Sequence, residues 1–322
     1  MSDYFERSKI LHEQLRGKIS VHNKLPIGSR DDLSLAYTPG VAKPCELIAE
    51  NPDAAYKLTI KGNSVAVITD GSAVLGLGDI GPLAALPVME GKALLFREFG
   101  KIDAWPICID TKDPQKIIET CRLIAPSFGG INLEDISAPR CFEVEESLQD
   151  LGIPVFHDDQ HGTAIVLLAA LINSSKVTGQ SLGSMSVIIN GSGAAGIAIA
   201  KLISGVSSDN QELEAVADVI VCDSKGAISG DRTDLNDEKQ KLLEFTNKKN
   251  VSGSVKEVLQ GANVFIGVSK GNVISAKDVQ TMAKDPIILA MANPTPEIMP
   301  DEAKKGGAIV IGTGRSDFPN QV

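Results

Sequence analysis

The 322-residue sequence lacks most features that mark specialised protein classes. Its five cysteines, at 45, 108, 121, 141 and 222, form no CxxC pair. That pattern excludes a disulfide frame and a zinc knuckle and implies reduced thiols in a cytoplasmic protein. Basic residues are in deficit, 31 Lys+Arg against 41 Asp+Glu, for a net charge of −10. Such a balance argues against nucleic acid and anionic membrane as partners, and leaves room for a small anionic substrate met by local positive charge. No apolar signal region opens the chain, and the longest apolar run, residues 164–172, is too short to span a bilayer. At 43% hydrophobic and 22% charged residues, what remains is an ordinary soluble globular composition, long enough for two domains.

The chain is organised around Phe156-His157-Asp158-Asp159-Gln160-His161-Gly162-Thr163. A short apolar strand, 153–156, runs into two adjacent carboxylates, and an apolar helix is expected over 163–172. Upstream, a strand at 130–133 ends in Glu134-Asp135, and a helix at 139–151 stops at Gly152. Strand–helix–strand units give parallel neighbours by a right-handed crossover. Glu134, Asp135, Asp158 and Asp159 are therefore expected to converge at the sheet edge where α/β proteins bind ligands. Carboxylates that close repel unless a cation neutralises them, and an oxygen-only set suits Mg²⁺ or Mn²⁺. Surface-loop acids or helix caps are the plainer alternative. His157 and His161 stand at i, i+4, but a two-histidine zinc helix needs Glu where Asp158 stands and tolerates no immediate Gly162, so zinc is set aside.

Elsewhere in the first half, a helix is expected over 3–16, loop over 20–45 with a turn at Tyr37-Thr38-Pro39-Gly40, and a short helix over 46–58. A buried strand follows at 64–69, then a core helix over 82–99 that Pro87 and Gly91 should interrupt. Another strand spans 103–109. Asp113-Pro114 signals a helix start, and Pro126 its end.

The pattern G-x-G-x-x-G occurs twice, at 76–81 and 191–196. A phosphate loop needs a strand before it and a helix after it. Gly191-Ser192-Gly193-Ala194-Ala195-Gly196 has both, a strand at 185–189 and a small-residue helix at 194–203. Asp223 then ends the next strand, where a ribose-binding acid belongs. The first copy places Asp79 inside the cradle, where it would repel a pyrophosphate, and reads as a tight loop lining the substrate site. Beyond, helices are expected over 234–247 and 254–260, and strands over 263–267, 287–291 and 308–311. Asn293 closes the fourth of these later segments, where it can reach a ribose, an amide or substrate, or simply cap the turn. The fold class expected is α/β in two domains: an N-terminal α/β domain over 1–160 that binds substrate and metal, and a Rossmann-type doubly wound parallel sheet over 161–322. The chain stops after Phe318-Pro319-Asn320-Gln321-Val322 with no closing helix, so a truncated C-terminus is expected.

Seven stretches, SLAYTPGVA (34–42), TDGSAVLGLGDIG (69–81), GGINLEDI (129–136), FHDDQHGTA (156–164), NGSGAAG (190–196), MANPTPEI (291–298) and TGRSDFPNQV (313–322), together resemble the malic enzymes, in their shorter prokaryotic form. The resemblance implies oxidation of L-malate with NAD or NADP, decarboxylation to pyruvate and CO₂, dependence on Mg²⁺ or Mn²⁺, and a homodimer. It assigns Glu134, Asp135 and Asp159 as metal ligands, Lys92 as the base for the malate hydroxyl, Tyr37 as the acid that protonates the enolate, and Asn293 as a contact to substrate or nicotinamide. The apolar neighbours Ala93, Leu94 and Leu95 are expected to make Lys92 a working base, and Tyr37 stays protonated until an enolate forms. Longer members carry an arginine for malate in the TDG loop, where this chain has Ser72-Ala73. Arg315 is the expected substitute, its fork suited to the second malate carboxylate; Arg97 beside Glu98 reads as a surface pair. Asp223 favours NAD over NADP, with Lys225 partly offsetting it. Two other readings stay open: a malate-to-lactate or oxaloacetate decarboxylase that retains NAD without net redox, and a non-catalytic dinucleotide-binding module.

Overall fold

The computed structural model describes residues 2–74, 77–206 and 214–322. It divides into two compact units. The first takes in the chain up to Val74 with Gly78–Ile136 and Glu143–Phe156; the second is built on Ser137–Phe142 and His157–Val322.

The first unit opens with α1 (Ser2–Leu15), α2 (Arg30–Ala36), α3 (Ala42–Glu50) and α4 (Ala55–Leu58). Two helices thus occupy much of the stretch expected as loop. The reason for α2 is local. Ser29 Oγ accepts from Asp32 N and Asp32 Oδ2 accepts from Ser29 N, a capping box with Asp in place of Glu. Neither α2, α3 nor α4 buries a residue.

The β-branched run at 64–69 forms β1 (Ser64–Thr69), as expected. Next comes α5 (Pro82–Gly100), which runs unbroken through Pro87 and Gly91 and so corrects the expected interruption. Pro87 removes one backbone donor, a cost of about 3 kcal/mol in a helix interior. The buried face of Ala85, Met89 and Ala93 continues on both sides of it and holds the helix together. Lys101, at φ 57, ends α5 in the left-handed region. Then follow β2 (Asp103–Cys108), α6 (Pro114–Ile124), β3 (Gly130–Leu133), α7 (Arg140–Glu146) and β4 (Val155–His157). Asp113 caps α6 by accepting from Gln115 N at 3.0 Å. α7 stops earlier than expected, and β4 starts two residues later. The sheet order is β2-β1-β3-β4, with β1 parallel to both β2 and β3. The two acid pairs of the sequence follow the neighbouring strands β3 and β4.

In the second unit a π-helical turn, Asp158–Gly162, leads into α8 (Thr163–Thr178). The elements that follow are β5 (Ser186–Asn190), α9 (Ala194–Ile203), β6 (Asp218–Asp223), β7 (Gly226–Ala227), α10 (Asp237–Leu242), α11 (Val255–Val258), β8 (Val264–Gly267), α12 (Ala276–Val279), β9 (Ile287–Ala290), α13 (Pro300–Lys305) and β10 (Val310–Thr313). Their sheet order is β10-β9-β8-β5-β6-β7, parallel throughout except β7. The apolar strands are covered on both faces, as parallel sheets require. One core joins Leu167, Leu171, Ile197 and Ile199 to the sheet; the other joins Leu259, Val279 and Ala303 to it. Strand order reverses at β5, which has β6 on one side and β8 on the other. That switch point is where doubly wound sheets bind dinucleotides. The helix expected over 234–247 shrinks to α10, while α12 and α13 were not anticipated. Among the described residues no helix is long and apolar enough to cross a membrane.

Candidate active site

The first unit gathers its chemistry at the end of β3. Glu134 N donates to Ile68 O at 2.9 Å, which continues the pairing of β3 with β1 and sets the direction of the acid. Glu134 Oε1 lies 3.0 Å from Lys92 Nζ of α5, and Oε2 accepts from Asn132 Nδ2 at 2.7 Å. Asn132, Glu134 and Asp135 are all buried. Asp135 has φ 53, a conformation rare outside glycine that marks a backbone held by its surroundings. Lys92 is thus held by a carboxylate across the unit. Its sequence neighbours do not surround it, because Leu94 and Leu95 are exposed and only Ala93 is buried. Helix geometry accounts for Ala93 and Leu94, since residues one and two positions on point to other faces. Tyr37, the C-cap residue of α2, is 67% exposed.

The TDG loop closes on itself. Asp70 Oδ1 accepts from Ser72 N at 3.0 Å and from Ser72 Oγ at 2.5 Å. Ile80 N and Gly81 N both donate to Gly71 O. Gly71, at φ +68, admits no side chain, because a Cβ would stand 2.3 Å from Gly81 O. Asp79 pairs with Lys112. Residues 77–81 of the first glycine fingerprint accordingly fold back on Gly71 and Val74 as a tight loop; its Gly76 lies outside the described residues. Arg97 pairs with Asp103 at 2.9 Å on the surface, rather than with Glu98.

In the second unit, Asp158 and Asp159 sit in the π turn, a geometry often found at functional sites. His157 is fully buried with Nε2 3.4 Å from Asp159 Oδ2, whereas His161 is exposed. One histidine is thus sealed in the unit and the other open to solvent. The second fingerprint fits a pyrophosphate. A Cβ on Gly191 would meet Val268 O at 2.7 Å, and one on Gly196 would meet Gly191 O at 1.8 Å. Gly193 faces open space, and α9 starts there with no side-chain cap. Its first N–H groups, around Ala194, Ala195 and Gly196, and the neighbouring Ser192, suit an anion.

Asp223, at the end of β6, has both oxygens occupied. Arg232 Nη1 and Nη2 reach them at 2.9 Å each, Lys239 Nζ at 2.6 Å and Lys225 N at 2.8 Å. Burial alone would raise its carboxyl, but the Arg232 and Lys239 donors outweigh burial and hold it down to about 2. Asn293 precedes a cis peptide to Pro294 and donates weakly to Gly314 O at 3.4 Å. Arg315 spends its fork on Asp317, at 2.8 and 2.6 Å, and on Pro294 O at 2.6 Å. A malate carboxylate would have to displace Asp317 to use the Nε–Nη2 side of the fork.

The malic enzyme N-terminal domain model matches residues 16–149, and the malic enzyme NAD-binding domain model matches residues 160–319. The chain belongs to the malic enzyme family. It is 54% identical over 319 residues to the bifunctional malic/malolactic enzyme of Bacillus subtilis, covering 98% of this chain and 76% of that one. It is also 54% identical to the NAD-dependent malic enzyme of Geobacillus stearothermophilus, covering 98% of this chain and 64% of that one. Other relatives are NADP-dependent malic enzymes. The crystal structure of the NAD-dependent malic enzyme of Thermotoga maritima superposes with a TM-score of 0.91 at 46% identity, over 97% of this chain and 81% of that one. These names, NAD- and NADP-dependent malic enzyme, are consistent with the oxidative decarboxylation of malate expected from the motifs.

Sequence reasoning missed Glu297, a wholly buried carboxylate inside the MANPTPEI stretch of this malic enzyme chain. It accepts from Ser269 N at 2.9 Å and Ala292 N at 3.1 Å, tying together the loops after β8 and β9. Burial pushes its carboxyl up despite those donors. Nothing local marks it; its partners are 28 and 5 residues away. Asn132 was missed too, although its place two residues before Glu134 on one strand puts both side chains on one face.

Proposed function

We propose that this chain oxidises L-malate and decarboxylates it to pyruvate and CO₂, reducing NAD or NADP in a reaction that needs Mg²⁺ or Mn²⁺. The observation that carries this reading is the Lys92–Glu134 pair at 3.0 Å: a candidate base held against a candidate metal-ligating acid. Glu134, Asp135 and Asp159 would hold the cation. They are an all-oxygen set, two buried and one half-buried, which suits a hard divalent ion. Bound there, the cation would supply Lewis acidity for the malate C2 oxygen, and the nicotinamide would supply the hydride acceptor. Lys92 accepts the hydroxyl proton, and Tyr37 delivers a proton to C3 of the enolate left by loss of CO₂. The fingerprint 191–196 would cradle the pyrophosphate, with Asp223 at the ribose corner and Asn293 near the nicotinamide. Residues 1–160 would then serve malate and metal, and 161–322 the cofactor.

A homodimer belongs to the same reading. The helices α1–α4 expose Tyr4, Phe5, Leu11, Leu33 and Leu47, which a second copy would cover. A solution mass of twice 34.0 kDa is expected by light scattering. The free cysteines, three of them buried, suit the reducing cytoplasm.

Absorbance at 340 nm with malate, Mn²⁺ and each cofactor in turn tests the activity. A metal-dependent rise is expected. Nucleotide binding with no turnover would leave only the binding-module reading. The name of the Bacillus subtilis relative favours one second reading, conversion of malate to lactate; lactate formed without a rise at 340 nm would select it.

A further inference from the structure

Glu297 is a carboxylate with no exposed surface, and among the described residues its partners are backbone amides, with no cation. Taking such a group out of water costs more than filling the same space with an apolar side chain. What the carboxylate adds is a rigid two-pronged acceptor. Oε1 accepts from Ser269 N at 2.9 Å, in the loop after β8, and Oε2 accepts from Ala292 N at 3.1 Å, in the loop after β9. The main chain grips the first of these loops further along. Glu297 O accepts from Val273 N at 2.8 Å, and Pro296 O accepts from Asn272 N at 3.1 Å. The carboxyl seats directly over the end of β8, where a Cβ on Gly267 would collide with Glu297 Cδ.

Both tethered loops border the switch point of the sheet. Ser269 Oγ accepts from Asn190 Nδ2 at 2.6 Å, and Asn190 immediately precedes Gly191 of the fingerprint. Ala292 immediately precedes Asn293, whose side chain donates only weakly, to Gly314 O at 3.4 Å. The aim of Asn293 is therefore set by its backbone, which Ala292 N fixes to the carboxylate and Met291 N fixes to Gly267 O at 2.8 Å. We infer that Glu297 is a positioning residue: its carboxylate clamps the loops after β8 and β9 together and so holds Asn293 at the nicotinamide end of the bound dinucleotide. This rests on the dinucleotide reading proposed above and adds to it a residue that touches neither substrate nor cofactor. A contact residue keeps a productive geometry only while the layer behind it is held. The fingerprint has anchors of its own, Gly191 N to Cys222 O and Val268 N to Asn190 O, each at 2.9 Å. Loss of one prong of Glu297 should therefore reach the nicotinamide half of the nucleotide and spare the adenosine half.

Glu297→Gln keeps the shape but offers a single carbonyl oxygen, so it serves one amide and turns an N–H donor toward the other. Calorimetric titration of the full chain with NAD and with ADP-ribose, which lacks the nicotinamide, reads the effect without any turnover. Glu297→Gln should weaken NAD by about tenfold, the worth of one charge-assisted bond, and change ADP-ribose by less than about twofold. Asn293→Ala should weaken NAD to a similar degree. The double variant should fall no more than about twofold below Asn293→Ala alone, because a residue that acts through Asn293 then has nothing left to hold. Equal weakening of NAD and ADP-ribose in Glu297→Gln would make Glu297 a general buttress and overturn the inference. Additive losses in the double variant, or NAD affinity unchanged in either single variant, would overturn it too. Glu297→Asp, one methylene shorter and unable to span both amides, carries the same test if the Gln variant does not fold. Failure of both to fold would assign Glu297 to the core alone and overturn the inference. Failure of both ligands to bind wild type would overturn the dinucleotide reading along with it.

Discussion

Glu134 and Asp223 invite comparison. Each ends a parallel strand of its own sheet, each side chain is nearly sealed, at 6% and 7% exposure, and each has a lysine within 3.0 Å. Their surroundings diverge. Glu134 shares Lys92 and an asparagine amide, a pair that suits proton transfer and metal binding. Asp223 is held by a guanidinium fork, Lys239 and a backbone amide, so its carboxylate organises these donors. The same residue type at the same kind of strand end can thus be a working group or a brace. What decides is the set of donors brought to it from elsewhere in the chain.

The largest effects should fall on the Glu134 side. Lys92→Ala is expected to lower kcat for malate oxidation by about 10²–10⁴, the usual worth of a positioned base, while hydrogen exchange at C3 of pyruvate, followed by NMR, continues. Tyr37→Phe should show the opposite split, retaining the oxidation step and losing the exchange. Equal loss of both partial reactions in both variants would dissolve the assigned roles.

Asp223→Asn should cost stability before it costs chemistry. Replacing a carboxylate that neutralises Arg232 and Lys239 removes charged hydrogen bonds worth about 2 kcal/mol together, or roughly 4–8 °C in Tm by calorimetry. The pH dependence has a definite sign. The folded-state carboxyl is held down to about 2 from an ordinary 3.8, so its contribution is present above about pH 4 and is lost as pH falls toward 2. Wild type should therefore lose Tm faster than Asp223→Asn across that window. Parallel curves would mean that the Arg232 and Lys239 contacts contribute nothing.

Much of this contrast was hidden in the sequence. The fingerprint at 191–196 was legible because its signal is local: a strand, three glycines and a small-residue helix are contiguous. So were β1, β3 and the Asp113-Pro114 start of α6. The role of Asp223 was not, because Arg232 and Lys239 lie 9 and 16 residues beyond it and reach back only through the loop and α10. The setting of Lys92 is expected from its apolar neighbours in sequence, whereas its partner Glu134 follows β3, far along the chain from α5. Pro87 misled for a related reason: a local rule against proline inside a helix gave way to a buried face that spans it. The α2 capping box, Ser29 with Asp32, is written in the sequence but is masked by the turn signal at Thr38-Pro39-Gly40.

The smallest effect is expected at Arg315. With its fork already on Asp317 and Pro294, Arg315→Ala should change the KM for malate by less than about threefold, short of the tenfold that loss of a direct charged contact brings. A rise of tenfold or more with cofactor KM unchanged would restore Arg315 as the cation for the second malate carboxylate and make it a working group like Glu134.

The contrast between the two acids is tested most directly by titrating Mn²⁺ into Glu134→Ala and Asp223→Asn side by side, reading malate-dependent absorbance at 340 nm, with nucleotide affinity measured by calorimetry on the same samples. Glu134→Ala should lose Mn²⁺-dependent turnover by about 100-fold or more and keep its nucleotide affinity, while Asp223→Asn keeps the wild-type Mn²⁺ dependence and shifts only nucleotide binding. An Mn²⁺ response altered as strongly in Asp223→Asn as in Glu134→Ala would contradict the separation of roles.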